Sequence, residues 1–324
     1  MIGFRITSKS QFFDEIVEIS EEKMALALNN KKSAYHCYKK AKKEGFRIIY
    51  AIKKNNLIYE LQNKLKNSFF MNLLFPECVC GFRKRKSYYD FLIPHISSNE
   101  PRYYLRLDIS DFFGSIDVDD IEESLNYYID DSISSEEKQL IINNIIGITT
   151  IDDKIIQGAL TSPILSNLVF RSLDIRIEKY CKMLNITYTR YADDMLFSSD
   201  SSYIHNYRFQ NMIKTIISEK GFNLNTKKTL KYKNEISLNG YVVGNSIRLS
   251  RKKLSQLNNI IYEMGKKQFK GFKSNKEKYT IKNKLAGYRA FLIQSIPYIN
   301  RNNLVQISKK ITKIENLITK YCAD

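Results

Sequence analysis

Apolar and polar residues alternate with a period of two along Tyr103-Tyr104-Leu105-Arg106-Leu107-Asp108-Ile109. Leu105, Leu107 and Ile109 share one face; Arg106 and Asp108 share the other, as in a strand with one buried side. Asp108 therefore stands off the apolar face at the strand's end. A second strand signal brackets Tyr191-Ala192-Asp193-Asp194, where two runs rich in β-branched and aromatic residues flank an Asp-Asp pair at a hairpin tip. Residues 33–56 predict a strand pair around a basic turn from Lys39 to Gly45, and Ile236 to Val243 predict another hairpin. Helical spacing covers residues 1–32 (Phe12, Phe13, Ile16, Ile19, Met24) and residues 57–75 (Leu57, Leu61, Leu65, Phe69). Asp117 is placed as N-cap of a helix carrying Ile121, Leu125 and Tyr128. In Gln157-Gly158-Ala159-Leu160-Thr161-Ser162-Pro163, Ser162 is placed as N-cap and Pro163 as the first helical residue. Beyond Leu249 the pattern is helical and basic.

Hydrophobic residues make up 43% of the 324 residues, enough for a substantial core, which excludes a disordered chain. The net charge of +18 is unevenly placed. Residues 248–324 hold 18 Lys/Arg against four Asp/Glu, whereas residues 105–153 hold 13 acids against two bases. An acidic centre beside a basic C-terminal third points to a metal site next to a phosphate-binding surface. The five Cys give neither a disulfide framework nor zinc spacing, which fits a reducing cytoplasm. No signal peptide or membrane span is expected.

Adjacent carboxylates repel and gain from a cation between them, and hard oxygens suit Mg²⁺, which also binds substrate phosphates. Asp108, Asp193 and Asp194 converge if their two strand ends are neighbours. Three carboxylates and a triphosphate are the ligand set of a two-metal phosphoryl-transfer site.

At this point the chain resembles the reverse transcriptases over nearly its full length. The residues that carry the resemblance are Leu105-Arg106-Leu107-Asp108-Ile109-Ser110-Asp111-Phe112-Phe113, Gln157-Gly158-Ala159-Leu160-Thr161-Ser162-Pro163 and Tyr191-Ala192-Asp193-Asp194. Lys227-Lys228-Thr229 and Gly240-Tyr241 follow in the family's order. The resemblance implies an α+β right-hand polymerase fold: fingers with an N-terminal helical segment over residues 1–102, a palm with an antiparallel sheet over 103–247, and a basic helical thumb over 248–324. It implies two Mg²⁺ ions, with Mn²⁺ as a substitute, held by Asp108, Asp193, Asp194 and the Ile109 backbone. Phe113 matches the residue that crowds a ribose 2′-OH and so favours dNTPs. Gln157 and Gly158 match residues lining the incoming nucleotide, and Arg47, helped by Lys39 or Lys40, matches a residue on its triphosphate. Lys228 matches the proton donor to pyrophosphate.

Within the family the chain looks like the bacterial retron enzymes, to which Gly81-Phe82-Arg83-Lys84 and Pro94-His95 also conform. Two signatures depart. Asn-Ala-x-x-His appears as Phe91-Leu92-Ile93-Pro94-His95 and Val-Thr-Gly as Leu238-Asn239-Gly240. Both concern recognition of the cognate RNA, so they put the RNA partner in question and leave the polymerase chemistry untouched. The expected activity is RNA-templated DNA synthesis on a structured noncoding RNA in an antiphage system, with an effector or toxin protein encoded beside it. Arg251, Lys252, Lys253, Lys266, Lys267 and Arg289 are the candidate RNA-binding cations. Two readings stay beside it: a defence-associated reverse transcriptase making repetitive DNA by template-independent or protein-primed synthesis, and an RNA-binding scaffold that restrains a toxin.

Overall fold

The computed structural model describes residues 3–41, 45–98, 100–266, 271–298 and 301–322. Two compact units emerge, each assembled from two stretches of chain: Met1–Phe91 with Leu105–Lys231, and Leu92–Tyr104 with Tyr232–Asp324.

The first unit opens with a π-helical turn, Gln11–Ile16, and helix α1 (Glu21–Asn29). The single helical pattern read over residues 1–32 thus breaks in two at Ser20, whose side chain accepts from the Lys23 N–H and starts α1 afresh. Strands β1 (Tyr35–Ala41) and β2 (Phe46–Ile52) form the expected antiparallel pair, with Lys40 opposite Arg47. Helix α2 (Leu57–Ser68), capped by Asn56, buries Ile58, Leu61 and Leu65 and is followed by the short helix α3 (Tyr88–Leu92). Strand β3 (Tyr103–Ser110) leads to α4 (Val118–Asn126) and α5 (Ser135–Thr149). Asp117 occupies the N-cap of α4 with no capping bond from its side chain, which pairs with Lys154 at 2.6 Å instead. A small hairpin of β4 (Thr150–Ile151) and β5 (Lys154–Ile155) precedes α6 (Ser162–Met183).

The cap of α6 is Thr161 rather than Ser162. Thr161 is already helical in its backbone, at φ −92° and ψ −26°, so the first turn begins one residue earlier than its composition suggests. Neither hydroxyl acts as a cap: Thr161 Oγ1 and Ser162 Oγ are both buried without a partner among the described residues.

Strands β6 (Thr187–Tyr191) and β7 (Asp194–Ser199), helix α7 (Tyr207–Ser218) and strand β8 (Asn223–Leu224) complete this unit, with β9 (Leu230–Lys233) at its end. The sheet runs in the order β6-β7-β3-β8, with β6–β7 and β3–β8 antiparallel. Along β3, Leu105, Leu107 and Ile109 are in the core as the alternation predicts, where Phe112, Phe170 and Phe222 pack ring on ring at 5.1–5.8 Å, but the opposite face is covered as well: Tyr104 and Asp108 are buried and Arg106 is half-buried. Gln62 ties the parts together from a fully buried position. Its amide donates to the Ile148 carbonyl and the Tyr35 hydroxyl, and its oxygen accepts from the Leu160 N–H.

In the second unit, β10 (Ile236–Leu238), β11 (Tyr241–Val243) and β12 (Ile247–Leu249) form an antiparallel sheet. Helices α8 (Arg251–Gly265), α9 (Asn275–Ser295) and α10 (Arg301–Cys322) follow and bury Leu257, Met264, Leu285 and Ile314. His95 is fully buried in this unit. No described helix is long and apolar enough to cross a membrane.

Candidate active site

The Asp-Asp pair closes a two-residue hairpin loop. Tyr191 pairs with Asp194, leaving Ala192 and Asp193 as the turn, and Ala192 sits at φ +57° as a primed hairpin turn requires at that position. Asp193 thus belongs to the turn and Asp194 opens β7. Because β7 and β3 are hydrogen-bonded neighbours, the turn meets the end of β3: the Ile109 N–H donates to the Asp193 carbonyl at 2.9 Å. The strand-end neighbourhood on which convergence of the carboxylates depends is therefore present.

Two cations lie among the three carboxylates. Arg106 donates to Asp194 through Nε at 2.8 Å and again through Nη2, which also lies 3.5 Å from Asp108. Lys228, on a short 3₁₀ turn, donates to both Asp108 oxygens at 2.9 and 3.1 Å. Burial pushes the Asp193 and Asp194 carboxyls above their ordinary range, with Asp108 adding repulsion and the Arg106 charge pulling back. Among the described residues no three His, Cys, Asp or Glu side chains are close enough to cage an ion as they stand. The donor set nevertheless fits a divalent cation. It comprises hard oxygens held on a rigid sheet, carboxylates that burial drives toward protonation unless positive charge is supplied, and a half-exposed lysine on one of them.

A buried network fixes the turn from beneath. Arg190 is 0% exposed. Its guanidinium donates to Asp174 at 2.8 and 2.6 Å, to Asn167 Oδ1 at 3.1 Å and to the Ala192 carbonyl at 3.0 Å, and lies 4.5 Å from the Phe170 ring centre. Tyr188 donates its hydroxyl to the same Asp174. Residues 78–81 run alongside: the Arg190 N–H donates to Cys78, the Cys80 N–H donates back, and Asn167 donates to the Gly81 carbonyl. A Cβ on Gly81 would stand 2.6 Å from the Ala192 nitrogen, so only glycine lets this segment lie against the turn.

Phe113 is half-exposed next to this end of the sheet. Its ring centre is 6.3 Å from Phe82, whose own ring is 6.4 Å from Tyr191. Gln157 and Gly158 sit against β2: the Tyr50 N–H donates to the Gln157 carbonyl, and Gly158, at φ +118°, leaves no room for a side chain beside the Tyr50 carbonyl. Gln157 Oε1 is buried without a partner among the described residues. Arg47 is exposed on the same strand as Tyr50, and no bond joins it to the carboxylates.

Sequence reasoning missed Arg106, Arg190, Asp174, Asn167 and Phe82. The β3 alternation already carried a signal for Arg106, since it put that residue on the Asp108 face. Of the expected RNA-binding cations, Arg251, Lys252 and Lys253 form the first turn of α8. Lys266 pairs with Glu263 and Arg289 with Glu315, and Lys267 lies outside the described residues.

Residues 16–243 match the reverse transcriptase (RNA-dependent DNA polymerase) family. Among curated proteins the chain is 27% identical to the retron Ec86 reverse transcriptase of Escherichia coli, over 70% of this chain and 68% of that one. It is 32% identical to the retron Ec73 enzyme of Escherichia coli over 49% of this chain, and 26% identical to the retron Mx65 enzyme of Myxococcus xanthus over 68%. Those last two alignments span about half of each relative, 51% and 53%. Solved structures that align include apo telomerase from Candida tropicalis (TM-score 0.48, 12% identity, 89% of this chain and 62% of that one) and the foamy viral protease–reverse transcriptase with RNA/DNA hybrid (TM-score 0.46, 15% identity, 87% and 33%). The chain belongs to the reverse transcriptase family of RNA-dependent DNA polymerases, has that family's right-hand polymerase fold, and resembles the retron enzymes within it.

Proposed function

We propose that this protein copies a structured noncoding RNA into DNA by two-metal phosphoryl transfer, as the polymerase of a cytoplasmic retron-type antiphage system with an effector protein as partner. The observation that supports the reading is that the end of β3, which carries Asp108, lies hydrogen-bonded beside the Asp193-Asp194 turn, with Arg106 reaching both Asp108 and Asp194. Residues 1–102, 103–247 and 248–324 serve as fingers, palm and thumb.

Asp108, Asp193, Asp194 and the Ile109 backbone would hold the magnesium ions. When bound, these supply positive charge for the attacking 3′-hydroxyl and for the leaving pyrophosphate. The protein's own part is positioning. Arg190 and Gly81 hold the turn, Arg106 orients Asp194, and Gln157 and Gly158 shape the base and sugar pocket against β2. Arg47 binds the triphosphate. Phe113, braced by Phe82, would crowd a 2′-OH and so favour dNTPs. Lys228, which pairs with Asp108, would give a proton to the pyrophosphate that leaves as the new phosphodiester forms.

The test is synthesis by purified protein with the RNA encoded next to its gene, dNTPs and Mg²⁺, followed by sequencing of the product. A copy of that RNA is expected, and none from a variant carrying Asp193→Ala and Asp194→Ala. Synthesis that persists in this variant would defeat the assignment. A simple repeat unrelated to the RNA would replace templated copying with repeat synthesis.

A further inference from the structure

The second unit contains a cavity of about 500 Å³ between β12, α8, α9 and α10, remote in sequence from every residue of the catalytic turn. Its inner wall is apolar: Leu249, Phe291 and Leu292 line it and are nearly fully buried. Arg251 and Lys310 line it further out, with the amide side chains of Asn245 and Gln306.

Three cations line this cavity: Arg248 is paired with Glu235 at 2.6 Å, whereas Arg251 and Lys310 are not so compensated. The unit holds twenty Lys/Arg against six Asp/Glu, a net +14. Three of the other acids are committed elsewhere: Glu263 to Lys266, Glu315 to Arg289, and Glu277 to the backbone N–H of Lys273. No ion pair to Arg251 or Lys310 is found among the described residues. Lys310 is held below the usual lysine range by burial and by the like charge of Lys313. Arg251 adds positive charge at the N-terminal end of α8, where the helix dipole already favours an anion. A half-buried cation with a like-charged neighbour is stabilised by an anion it can pair with.

We infer that this cavity holds one unpaired nucleotide, its phosphate between Arg251 and Lys310 and its base against the Leu249–Phe291–Leu292 wall. The volume admits a single nucleotide and excludes a duplex. An apolar wall with amide groups beside it suits the face and edge of a base, and extruded bases are how proteins read structured RNA. The inference rests on the reading of this chain as an RNA-copying polymerase and deepens it by naming what the second unit grips. A nucleotide within an RNA strand and a free nucleotide present the same chemistry.

The test uses the full-length protein and three probes: a hairpin RNA with a single bulged 2-aminopurine, the same hairpin fully paired, and free AMP. The bulged hairpin is expected to bind about tenfold more tightly than the paired one, with a change in 2-aminopurine fluorescence on binding. The combined variant Arg251→Gln and Lys310→Gln, and separately the cavity-blocking Ser98→Trp, should remove that preference. The paired hairpin should lose only a uniform, salt-dependent share of affinity to the first variant. AMP competing with the bulged probe at its own affinity would make the free nucleotide the occupant. Equal binding of bulged and paired hairpins by the parent, or a preference that survives both variants in protein with a parental melting profile, overturns the inference. Extension of oligo(dT) on poly(rA) by the parent reports separately on the polymerase reading, so failure of one is told apart from failure of the other.

Discussion

Replacing Arg190 by Met separates what its buried ion pair does for the fold from what it does for the Asp193-Asp194 turn. The substitution keeps a chain of similar length but leaves Asp174 as an unpaired carboxylate at 0% exposure. Breaking a buried pair in this way costs about 3–5 kcal/mol, a large share of the roughly 5–15 kcal/mol that holds a domain together. Replacing the whole network by apolar groups removes most of that penalty. A variant with Arg190→Met, Asp174→Leu and Tyr188→Phe has no buried charge and no stranded hydroxyl. It should unfold in urea within about 2 kcal/mol of the parent, the remainder reflecting Asn167 Oδ1, which loses its guanidinium donor. The bond from Arg190 to the Ala192 carbonyl is not restored by this repair, and that bond pins a turn residue at positive φ between Tyr191 and Asp193. Misplacing a reacting group by about 1 Å costs on the order of a hundredfold in rate. The repaired variant should therefore keep its stability and its affinity for oligo(dT)·poly(rA) while kcat for dTTP addition falls about a hundredfold. Circular dichroism in urea and steady-state extension measure the two quantities. Recovery of both stability and kcat would show that the network serves the fold alone, and the positioning argument would be wrong.

Phe113→Ala should raise the use of ribonucleotides relative to deoxynucleotides by about 10- to 100-fold, and Phe82→Ala should move the same ratio part of the way; paired dTTP and UTP incorporation assays measure it, and an unchanged ratio in Phe113→Ala removes the 2′-OH role. Gly158→Ala should lower extension activity by about a hundredfold, because a Cβ at φ +118° meets the Tyr50 carbonyl; single-nucleotide kinetics with near-parental rates would contradict this. His95 is held neutral, its pKa pushed down to about 3 by burial and then by Arg102, so the stability this gives is full above its unfolded value of 6.5 and drains as pH falls toward 3. At pH 5 the loss is about 2 kcal/mol relative to pH 7.5, and His95→Gln should lack that component; parallel melting curves at the two pH values decide.

The strands that carry the carboxylates were legible from the apolar period of β3 and the β-branched and aromatic runs about the turn, although burial reaches both faces, with Asp108 buried on the polar side of β3 and every residue of β7 buried. The Asp-Asp turn was legible only in company. Asp152-Asp153 is the same dipeptide, also at a hairpin tip, where it fills the two-residue loop with both residues at positive φ. There it is an exposed surface turn, with Asp152 paired to Lys32 at 2.6 Å. Nothing in the sequence of the dipeptide separates the two; Asp108 on a neighbouring strand does. Arg190 was illegible for a related reason. An arginine in a short strand reads as a surface cation until Asp174, Asn167 and Phe170, all from α6, are known to lie beneath it. The break at Ser20 and the one-residue shift from Ser162 to Thr161 are local: apolar spacing fixes which face is buried more firmly than where a helix starts.

The division of the chain into two units has a consequence for its biosynthesis. Leu92–Tyr104 leaves the first unit to join a unit whose remaining residues begin at Tyr232, and the first unit is not complete until Lys231. As the chain emerges from the ribosome, Ser97 has no Gly244 carbonyl to bond and Arg102 no Asn234 N–H to accept until more than a hundred further residues have been made. The two units are interleaved rather than sequential, so a stop codon between the catalytic turn and the basic helices would strand an apolar insertion without its partners. No single cut in the chain separates the first unit from the second.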